Sequence, residues 1–466
     1  MYLEICAGAR ALSRSVRLNR PEVSRYRDAA ISRDTSHQQS NTIVREVLQM
    51  IIPIAPRASD NLRINSCASV CTRHSFTSGS NTLAYARTDR AINVIAQLQA
   101  MVAHTVLLDF TVSSSVIADM EKRSGLKSAI ANVLAEHFTG LKPLTESNID
   151  GSLLVLYTGP RGSLITVRGY TEGLITLNIE YYKQDDQEAL LTFELAKELE
   201  TALQTAATAT RSHTLTPIKR GGPFERYYPT ADERLLEYDI DKLVFEARSP
   251  YQKVQIVHSK SLGNLLVLDE LQNMSEADLI YTETLMQRGK ENYAGKEIVI
   301  LGGGDGGLLW ELLKEKPKFI TMLEIDDIVM KACSQHMRSI CGDCLDKRKG
   351  DNYEIIVGDC VKALAHMIEE GRQFDYVFGD LTDIPISTTP HGDAWDFIRL
   401  ILNSSMKVLK STGKYMTHGN GASCPESLKM YEEVLSQLCV PVTFTKDRAF
   451  VPSFFEDWIF YQVSLK

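Results

Sequence analysis

Three absences narrow the functions open to this chain of 466 residues. It has no apolar run of about 18 residues, the length that a membrane-spanning helix needs. Its glycine-rich stretch lacks the Gly-Lys-Ser or Gly-Lys-Thr ending of a loop that binds nucleoside triphosphates. Its cysteines lack a second pair, or histidines, at zinc-finger spacing. The sequence therefore disfavours transmembrane proteins, P-loop enzymes and zinc-finger proteins.

The nine cysteines are odd in number and widely scattered, and we expect no secretory signal ahead of them. This pattern is typical of free thiols in a reducing compartment, so a cytoplasmic protein is expected. The chain has one Cys-x-x-Cys, at Cys341–Cys344, and we expect ordinary thiols there. A metal or redox role for this pair is the alternative.

Residues 1–100 contain no lysine, 13 arginines and seven acidic residues, so this part carries +6. The rest must carry −14 to give the net charge of −8, which disfavours nucleic-acid binding. For residues 1–103 three interpretations are open: a disordered or non-native extension, an arginine- and serine-rich targeting segment, or a folded module. We expect the first, with Met101 as an alternative start.

Hydrophobic periodicity predicts three folded parts after this segment. Residues 104–208 combine strand patterns such as TVLLDFTV with two helix patterns, which predicts an α+β domain. The polar stretch at 208–223 is predicted to be a linker. Residues 222–290 contain short strand patterns without helices between them, which predicts a small antiparallel β domain. In residues 291–466 strands alternate with helices, which predicts an α/β domain with a doubly wound, Rossmann-like (methyltransferase-like) parallel sheet.

Four predicted strands of this last domain each end in a carboxylate. These residues are Asp305, Glu324, Asp359 and Asp380. Ligands of doubly wound sheets bind beyond the carboxyl ends of the strands, so the four acids should line one crevice. Any one of them alone could instead be a helix N-cap, but four in register favour a binding site.

The stretch IVILGGGDGGLL places Asp305 inside a glycine loop. The loop glycines are Gly302, Gly303, Gly304 and Gly306. Glu324 follows Asp305 at the spacing of an acid that binds the hydroxyls of a ribose. An aspartate in the loop would repel a pyrophosphate, but an ammonium about 4 Å away would gain a few kcal/mol. The predicted ligand is an adenosine that bears a cationic tail.

The motifs ILGGGDGG, LEID, GDC and DYVFGDLTDIPIS resemble those of the aminopropyltransferase (polyamine synthase) family. RYYPTADERLLEYDID and DLTDIPIST are similar to the spermine synthases within that family. The resemblance covers about 104–466 and implies transfer of an aminopropyl group from decarboxylated S-adenosylmethionine to spermidine, giving spermine and 5'-methylthioadenosine. The donor would be a co-substrate, with no cofactor or metal. A spermidine synthase, a thermospermine synthase and a catalytically inactive dimeric homologue remain alternatives.

The resemblance also implies a role for individual residues. On the donor side it assigns Gln252 and Glu324 to methylthioadenosine, and Asp359 and Cys360 to the adenine. On the acceptor side it assigns Tyr281, Asp305, Phe454 and Glu456 to the polyamine, with Asp380 as the proton acceptor. Phe454 stands where the family has a tyrosine, so one hydroxyl contact is missing. Packing roles are the alternative for Gln252, Tyr281 and Phe454.

Two further expectations concern the acceptor and the assembly. Glu276 and Asp278, in SEADLIY, are additional acids that could bind a longer polyamine. Residues 104–208 resemble the amino-terminal domain of spermine synthases, which is related in fold to S-adenosylmethionine decarboxylase. This resemblance implies a homodimer, with no membrane or nucleic-acid partner.

Overall fold

The computed structural model describes residues 102–149, 151–183, 187–230, 232–381 and 392–466. The predicted extension at 1–103 lies outside these ranges, except for its last two residues. Those two residues belong to the first strand, which begins at Val102. The first described strand therefore begins two residues before the predicted domain start at residue 104. Among the described residues, no helix is both long and apolar enough to cross a membrane.

The first folded part is an antiparallel sheet with helices packed on one face. Its strands are β1 (Val102–Thr111), β2 (Lys142–Ile149), β3 (Ser152–Thr158), β4 (Leu164–Gly169), β5 (Leu174–Lys183), β6 (Arg211–Thr214) and β7 (Ile218–Gly221). Its helices are α1 (Ser114–Ala118), α2 (Met120–His137) and α3 (Phe193–Ala206). The strand order is β2-β3-β4-β5-β1-β6, and β7 also pairs with β1. Apolar side chains of α2 and α3 share one core with the sheet.

The linker prediction for residues 208–223 is wrong. Both β6 and β7 lie in this stretch and extend the sheet along β1, where Leu108 pairs with Thr214 and Thr105 with Ile218. Each strand has four residues and no alternation of apolar and polar side chains. The backbone of β1 provides their hydrogen bonds, and the local sequence carries no signal of this pairing.

The second folded part is mainly antiparallel β structure. It contains β8 (Tyr227–Pro229), β9 (Leu235–Glu237), β10 (Ile240–Arg248), β11 (Lys253–Ser259), β12 (Gly263–Leu268), β13 (Leu271–Ser275) and α4 (Leu279–Leu285). The last four strands form a meander in sequence order, and β8 pairs with β9 separately. The sequence LLEYDI, at 235–240, is divided between β9 and the start of β10. The range 222–290 also includes the helix α4, which the strand patterns did not predict.

The third folded part confirms the predicted Rossmann-like domain. Its strands are β14 (Glu297–Gly302), β15 (Phe319–Glu324), β16 (Tyr353–Val357), β17 (Phe374–Asp380), β18 (Leu409–Gly421), β19 (Val442–Val451) and β20 (Glu456–Leu465). Its helices are α5 (Gly307–Lys314), α6 (Asp327–His336), α7 (Arg338–Cys341), α8 (Cys360–Glu369), α9 (Asp393–Val408) and α10 (Pro425–Ser436). The strand order is β16-β15-β14-β17-β18-β20-β19.

The sheet is parallel from β16 to β18, whereas β20 pairs antiparallel with both β18 and β19. The predicted parallel sheet is therefore confirmed from β14 to β18, and β19 and β20 add an antiparallel edge that the sequence did not predict. Separate apolar cores lie on the two faces of the sheet, one against α5 and α6 and the other against α8, α9 and α10. Because both faces are covered, the central strands are continuous apolar runs. The strand order reverses between β14 and β17, where a ligand crevice is expected.

Candidate active site

The four strand-end acids lie at one edge of the third sheet. Asp305 follows β14, Glu324 ends β15, Asp359 follows β16 and Asp380 ends β17. Parallel pairing aligns these ends, with Gly302 opposite Asp380 and Glu324 opposite Val357. The sheet register therefore gathers all four predicted acids into one region.

The glycine loop passes between two of these acids at very short range. Gly302 has φ +84°, and a Cβ there would lie 1.9 Å from the carbonyl oxygen of Asp380. A Cβ on Gly304 would lie 2.9 Å from Oε2 of Glu324, and one on Gly303 would lie 3.5 Å from Oδ2 of Asp380. Side chains at these positions would fill the space between the carboxylates, so glycine keeps it open.

Asp305 is a buried carboxylate at the start of α5. It is 7% exposed, and its Oδ1 accepts a hydrogen bond from the backbone N–H of Gly307 at 2.7 Å. Burial raises its pKa above the ordinary value. Burial also raises the pKa of the nearby Cys341 thiol to about 11, and the charge of Asp305 adds to that rise. Cys341 and Cys344 are free cysteines, as the sequence predicts.

Glu324 is buried at the end of the neighbouring strand, and it is 8% exposed. Its Oε1 accepts from the backbone N–H of Asp326 at 2.7 Å. Burial raises the pKa of Glu324 to about 7, and the charges of Asp326 and Asp305 contribute to the rise. A cation placed between Glu324 and Asp305 would relieve this repulsion and favour both ionised forms.

Gln252 is held at the same end of the sheet through Asp326, a residue that the sequence analysis missed. Its Nε2 donates to Oδ2 of Asp326 at 3.1 Å, and Oγ of Ser249 donates to the same oxygen at 2.6 Å. The other oxygen of Asp326 accepts from the N–H of Ile328 and caps α6. Asp326 thus joins the turn between β10 and β11 to the crevice. The sequence signal that could have identified Asp326 was its position two residues after Glu324 in the motif LEID.

Asp359 and Cys360 lie at the end of β16, where the resemblance placed the adenine. Oδ1 of Asp359 accepts from the N–H of Val361 at 2.9 Å, so this side chain is also the N-cap of α8. Cys360 is 8% exposed, and burial raises the pKa of its thiol to about 12. Cys360 therefore stays a neutral thiol at neutral pH.

Tyr281, on α4, connects the second folded part to the crevice. Its hydroxyl donates to Oδ1 of Asp380 at 3.1 Å. Its ring centroid lies 5.2 Å from that of Phe460, 5.9 Å from that of His418 and 6.2 Å from that of Phe454. Tyr281 is 6% exposed, so the packing role considered as an alternative is also real.

The carboxyl-terminal segment forms the other wall. Phe454 ends a short 3-10 helix and packs on Trp458 at 4.7 Å between ring centroids. Glu456 is 7% exposed, and its Oε1 accepts from the N–H of Ser423 at 2.8 Å. A Cβ on Gly421 would lie 2.5 Å from the carboxylate of Glu456. The segment therefore brings the ring of Phe454 beside Tyr281 and a buried acid beside Gly421.

The two further acids proposed for the polyamine have structural contacts instead. Asp278 is fully buried and accepts from the N–H groups of Ser275 at 2.6 Å and Ser453 at 2.9 Å. Glu276 accepts from the N–H of Asn264 at 2.7 Å. The sequence pattern could not show these contacts, because the partners lie on other strands and, for Ser453, far along the chain. The loop motif TDIPIST lies in 382–391, outside the described residues.

Taken as a surface for a ligand, this region presents buried carboxylates beside aromatic rings. The side chains named above as its walls carry no positive charge. Buried carboxylates beside aromatic rings suit a ligand that carries ammonium groups.

Comparison with known proteins agrees with this chemistry. The family described as spermine/spermidine synthase domain matches residues 278–466, and the spermidine synthase tetramerisation domain matches residues 223–276. Polyamine aminopropyltransferase of Clostridium tetani is 30% identical over 154 residues, covering 32% of this chain and 53% of that protein. Polyamine aminopropyltransferase 1 of Hyperthermus butylicus is 28% identical over 221 residues, covering 46% of this chain and 70% of that protein.

The chain thus spans only about half the length of the Clostridium protein. A solved structure, spermidine synthase from Thermotoga maritima, is 18% identical with a TM-score of 0.41. That alignment covers 51% of this chain and 78% of the solved chain.

Proposed function

Because residues 278–466 match the spermine/spermidine synthase domain and residues 223–276 match the spermidine synthase tetramerisation domain, we propose that the protein is a polyamine aminopropyltransferase of this family. The donor would be decarboxylated S-adenosylmethionine. The observation that carries the proposal is Asp305, a buried carboxylate inside a glycine loop. A carboxylate at this position opposes the binding of phosphates and of the carboxylate of ordinary S-adenosylmethionine, and it attracts an ammonium.

Donor binding follows from the two acids on either side of the glycine loop. Glu324 would accept hydrogen bonds from the ribose hydroxyls, with Gln252 close by on Asp326. The ammonium of the aminopropyl group would lie towards Asp305. Its charge compensates for burying the carboxylates, so the donor binds best when Glu324 is ionised.

The transfer step is a displacement at the carbon bonded to the sulfonium. The neutral acceptor amine forms a C–N bond with this carbon while the C–S bond breaks, and the electron pair leaves on sulfur. The leaving group is a neutral thioether, so we propose that the reaction needs neither a metal nor a cofactor. Holding both reactants in line supplies most of the acceleration.

The acceptor amine must first lose a proton, because an alkylammonium has a pKa near 10 by analogy with lysine. Asp380 is the proposed base. Tyr281 donates to its Oδ1, which fixes the carboxylate and leaves Oδ2 facing the glycine loop. A base must lie within hydrogen-bond reach of the proton that it removes, so the acceptor amine would bind beside Oδ2 of Asp380.

Spermidine is the acceptor we propose, with spermine as the product. A triamine places a cationic group farther from the reacting carbon than a diamine does, and Glu456 provides a buried acid on the carboxyl-terminal segment for that group. Phe454 offers an apolar face to the methylene groups between the amines. An acidic group beyond the reacting amine favours the longer substrate, because a buried ammonium without a partner would cost several kcal/mol.

A product assay tests both the proposed aminopropyltransferase activity and the proposed choice of spermidine as acceptor. The purified chain would be supplied with decarboxylated donor and equal concentrations of putrescine and spermidine, and the products would be separated by chromatography. Spermine as the main product supports spermidine as acceptor. Spermidine as the main product would retain the aminopropyltransferase and make it a spermidine synthase. Thermospermine as the main product would indicate attack by the other terminal amine of spermidine. The absence of any product would favour an inactive homologue.

We also propose that the protein is a cytoplasmic homodimer. One face of the first sheet has a depression of about 400 Å³ lined by Thr105, Leu164, Thr166, Glu180 and Arg220, among other residues. Leu164 is 39% exposed there, while α2 and α3 pack on the opposite face. A second copy that covers this face would bury its apolar side chains. Light scattering on the purified chain, with Leu164→Lys as the disrupting variant, tests the dimer.

A further inference from the structure

His418 lies beside the proposed base and has no part in the mechanism above. β17 and β18 are parallel, and Gly379 pairs with Thr417. The next residues on the two strands are Asp380 and His418. Aligned residues of neighbouring strands point to the same face of a sheet. Phe378 and Met416, two positions earlier on each strand, indeed share one apolar core.

The surroundings of His418 connect it to Asp380 through Tyr281. The imidazole is 5% exposed, and its centroid lies 5.9 Å from the ring of Tyr281. The hydroxyl of that same tyrosine donates to Asp380. One side chain therefore contacts both the imidazole and the carboxylate.

The elements around β18 bring few titratable groups towards His418. Asp380 faces it from β17 and Tyr281 from α4, while its register partner on β20 is the apolar Phe460. At the end of β18, the carboxylate of Glu456 lies against Gly421. On the other face, Tyr431 of α10 lines a small cavity that also reaches His418.

Charge balance in the proposed reaction leaves one proton to remove. A sulfonium donor and an ammonium acceptor give a neutral thioether, a longer polyamine that keeps its ammonium, and one free proton. An ordinary aspartate has a pKa of about 3.9, so it holds a proton weakly at neutral pH. An imidazole, with a pKa of about 6.5, holds it better and can accept on one nitrogen and release from the other.

We propose that His418 relays the acceptor's proton, receiving it from Asp380 after the amine is deprotonated. This inference rests on the proposed function. In the relay, the N–H bond of the ammonium breaks and an O–H bond forms on Asp380. That O–H bond then breaks as an N–H bond forms on the imidazole, and the imidazolium releases the proton to water. Asp380 is thereby restored for the next turnover.

The test compares the wild-type chain, His418→Gln and His418→Ala. The control is His104→Gln, because His104 is also buried at 8% exposure and packs on a tyrosine, Tyr181, at 5.3 Å. Methylthioadenosine release would be measured between about pH 5.5 and 8.5, the range over which an imidazole titrates. Both substrates would be saturating, so that kcat reports the bound complex and not donor affinity. Thermal midpoints would show whether each variant folds.

The relay predicts that wild-type kcat falls towards the acid end of this range, because a protonated imidazole cannot accept a proton. His418→Gln should lose this limb and have a kcat about 10- to 100-fold lower at pH 7. Added imidazole should restore part of the rate to His418→Ala. His104→Gln should keep the wild-type profile even if its midpoint falls.

A folded His418→Gln that keeps the acid limb, with kcat within about threefold of wild type, would show that His418 only packs on Tyr281. Failure of imidazole to restore any rate to a folded His418→Ala would also overturn the relay. A wild-type chain that releases methylthioadenosine while these variants behave as wild type leaves the proposed function intact. Absence of release from the wild type would overturn both proposals.

Discussion

The hydroxyl of Tyr281 donates a hydrogen bond to Oδ1 of Asp380 across 3.1 Å. This bond joins α4 of the second folded part to the end of β17 in the third. The two folded parts therefore build the proposed acceptor site together, and disturbing either one should change turnover.

Replacing the base should reduce the chemical step and spare donor binding. Asp380→Asn keeps the shape of the side chain but cannot take up the proton, so kcat should fall by about 10²- to 10⁴-fold. The matched control is Asp375→Asn on the same strand, where Asp375 pairs with Lys410 at 2.8 Å away from the crevice. That control should lose stability and keep its kcat. An Asp380→Asn enzyme with near-normal kcat would disprove the assignment.

Removing only the hydroxyl of Tyr281 should separate orientation from packing. Tyr281→Phe keeps the ring contacts with Phe460 and Phe454 but loses the bond to Asp380. A hydrogen bond to a charged group contributes about 1.5–3 kcal/mol, so kcat should fall by about tenfold or more while the thermal midpoint changes little. Steady-state kinetics with a melting curve checks this. A lower midpoint with unchanged kcat would indicate that the tyrosine only packs.

The buried acid Glu324 should make the free protein less stable as the pH rises. Its folded-state pKa of about 7 lies above the ordinary 4.5, so the folded chain keeps a proton that the unfolded chain loses between these values. This contribution is full below about pH 4.5 and is lost as the pH rises through about 7, amounting to at most roughly 3 kcal/mol. Denaturant titrations of the unliganded protein from about pH 4 to pH 8, a range that brackets this titration, would measure it.

Glu324→Gln should flatten this pH dependence, raise stability at pH 8 and abolish donor binding. Glu297→Gln is the contrasting variant, because ion pairing with Lys318 lowers the pKa of Glu297. Removing the ion pair of Glu297 with Lys318 should lower stability at pH 8. If Glu324→Gln is less stable than wild type at pH 8, the burial argument for this carboxylate is incorrect.

Asp278 should control acceptor binding from a distance. It fixes the N–H of Ser453, while the hydroxyl of Tyr238 donates to the carbonyl oxygen of Ser453 at 2.5 Å. Asn at position 278 retains only one acceptor oxygen, so Asp278→Asn should lower stability by about 1–3 kcal/mol. It should also raise KM for spermidine, because Phe454 and Glu456 follow the loosened turn. Calorimetry and kinetics would check the two effects.

Asp239→Asn is the matched control for this variant. Asp239 lies in the same folded part and accepts from the N–H of Ser261 at 2.9 Å, in the turn between β11 and β12. It should lower stability and leave KM for spermidine unchanged. Equal KM changes in the two variants would contradict a specific role for Asp278.

The strand-end acids could be predicted from the sequence because parallel strands place their carboxyl ends together. Apolar runs ending at Asp305, Glu324 and Asp380 were therefore enough to locate the crevice. For His418 a signal was also present. His418 lies two residues after Met416, and side chains alternate along a strand, so the pattern places His418 on the same face of the sheet as Asp380.

Other features of the fold and the site could not be predicted, because the residues that determine them are distant along the chain. The strands β6 and β7 have polar sequences and depend on the backbone of β1. Asp278 looks like a free acid until Ser453 is brought beside it, and Gln252 gives no local sign of its bond to Asp326. Local patterns predict strands and their ends, whereas tertiary packing decides which acids remain available to a ligand.

The most direct measurement of the central claim is methylthioadenosine release by the purified chain. It would be made with decarboxylated S-adenosylmethionine, with and without spermidine, and with ordinary S-adenosylmethionine as the comparison donor. The account predicts release only when the decarboxylated donor and spermidine are both present, with one methylthioadenosine for each spermine formed. Asp305→Asn should reduce the preference for the decarboxylated donor. Equal turnover of both donors, or no release in the complete mixture, would contradict the account.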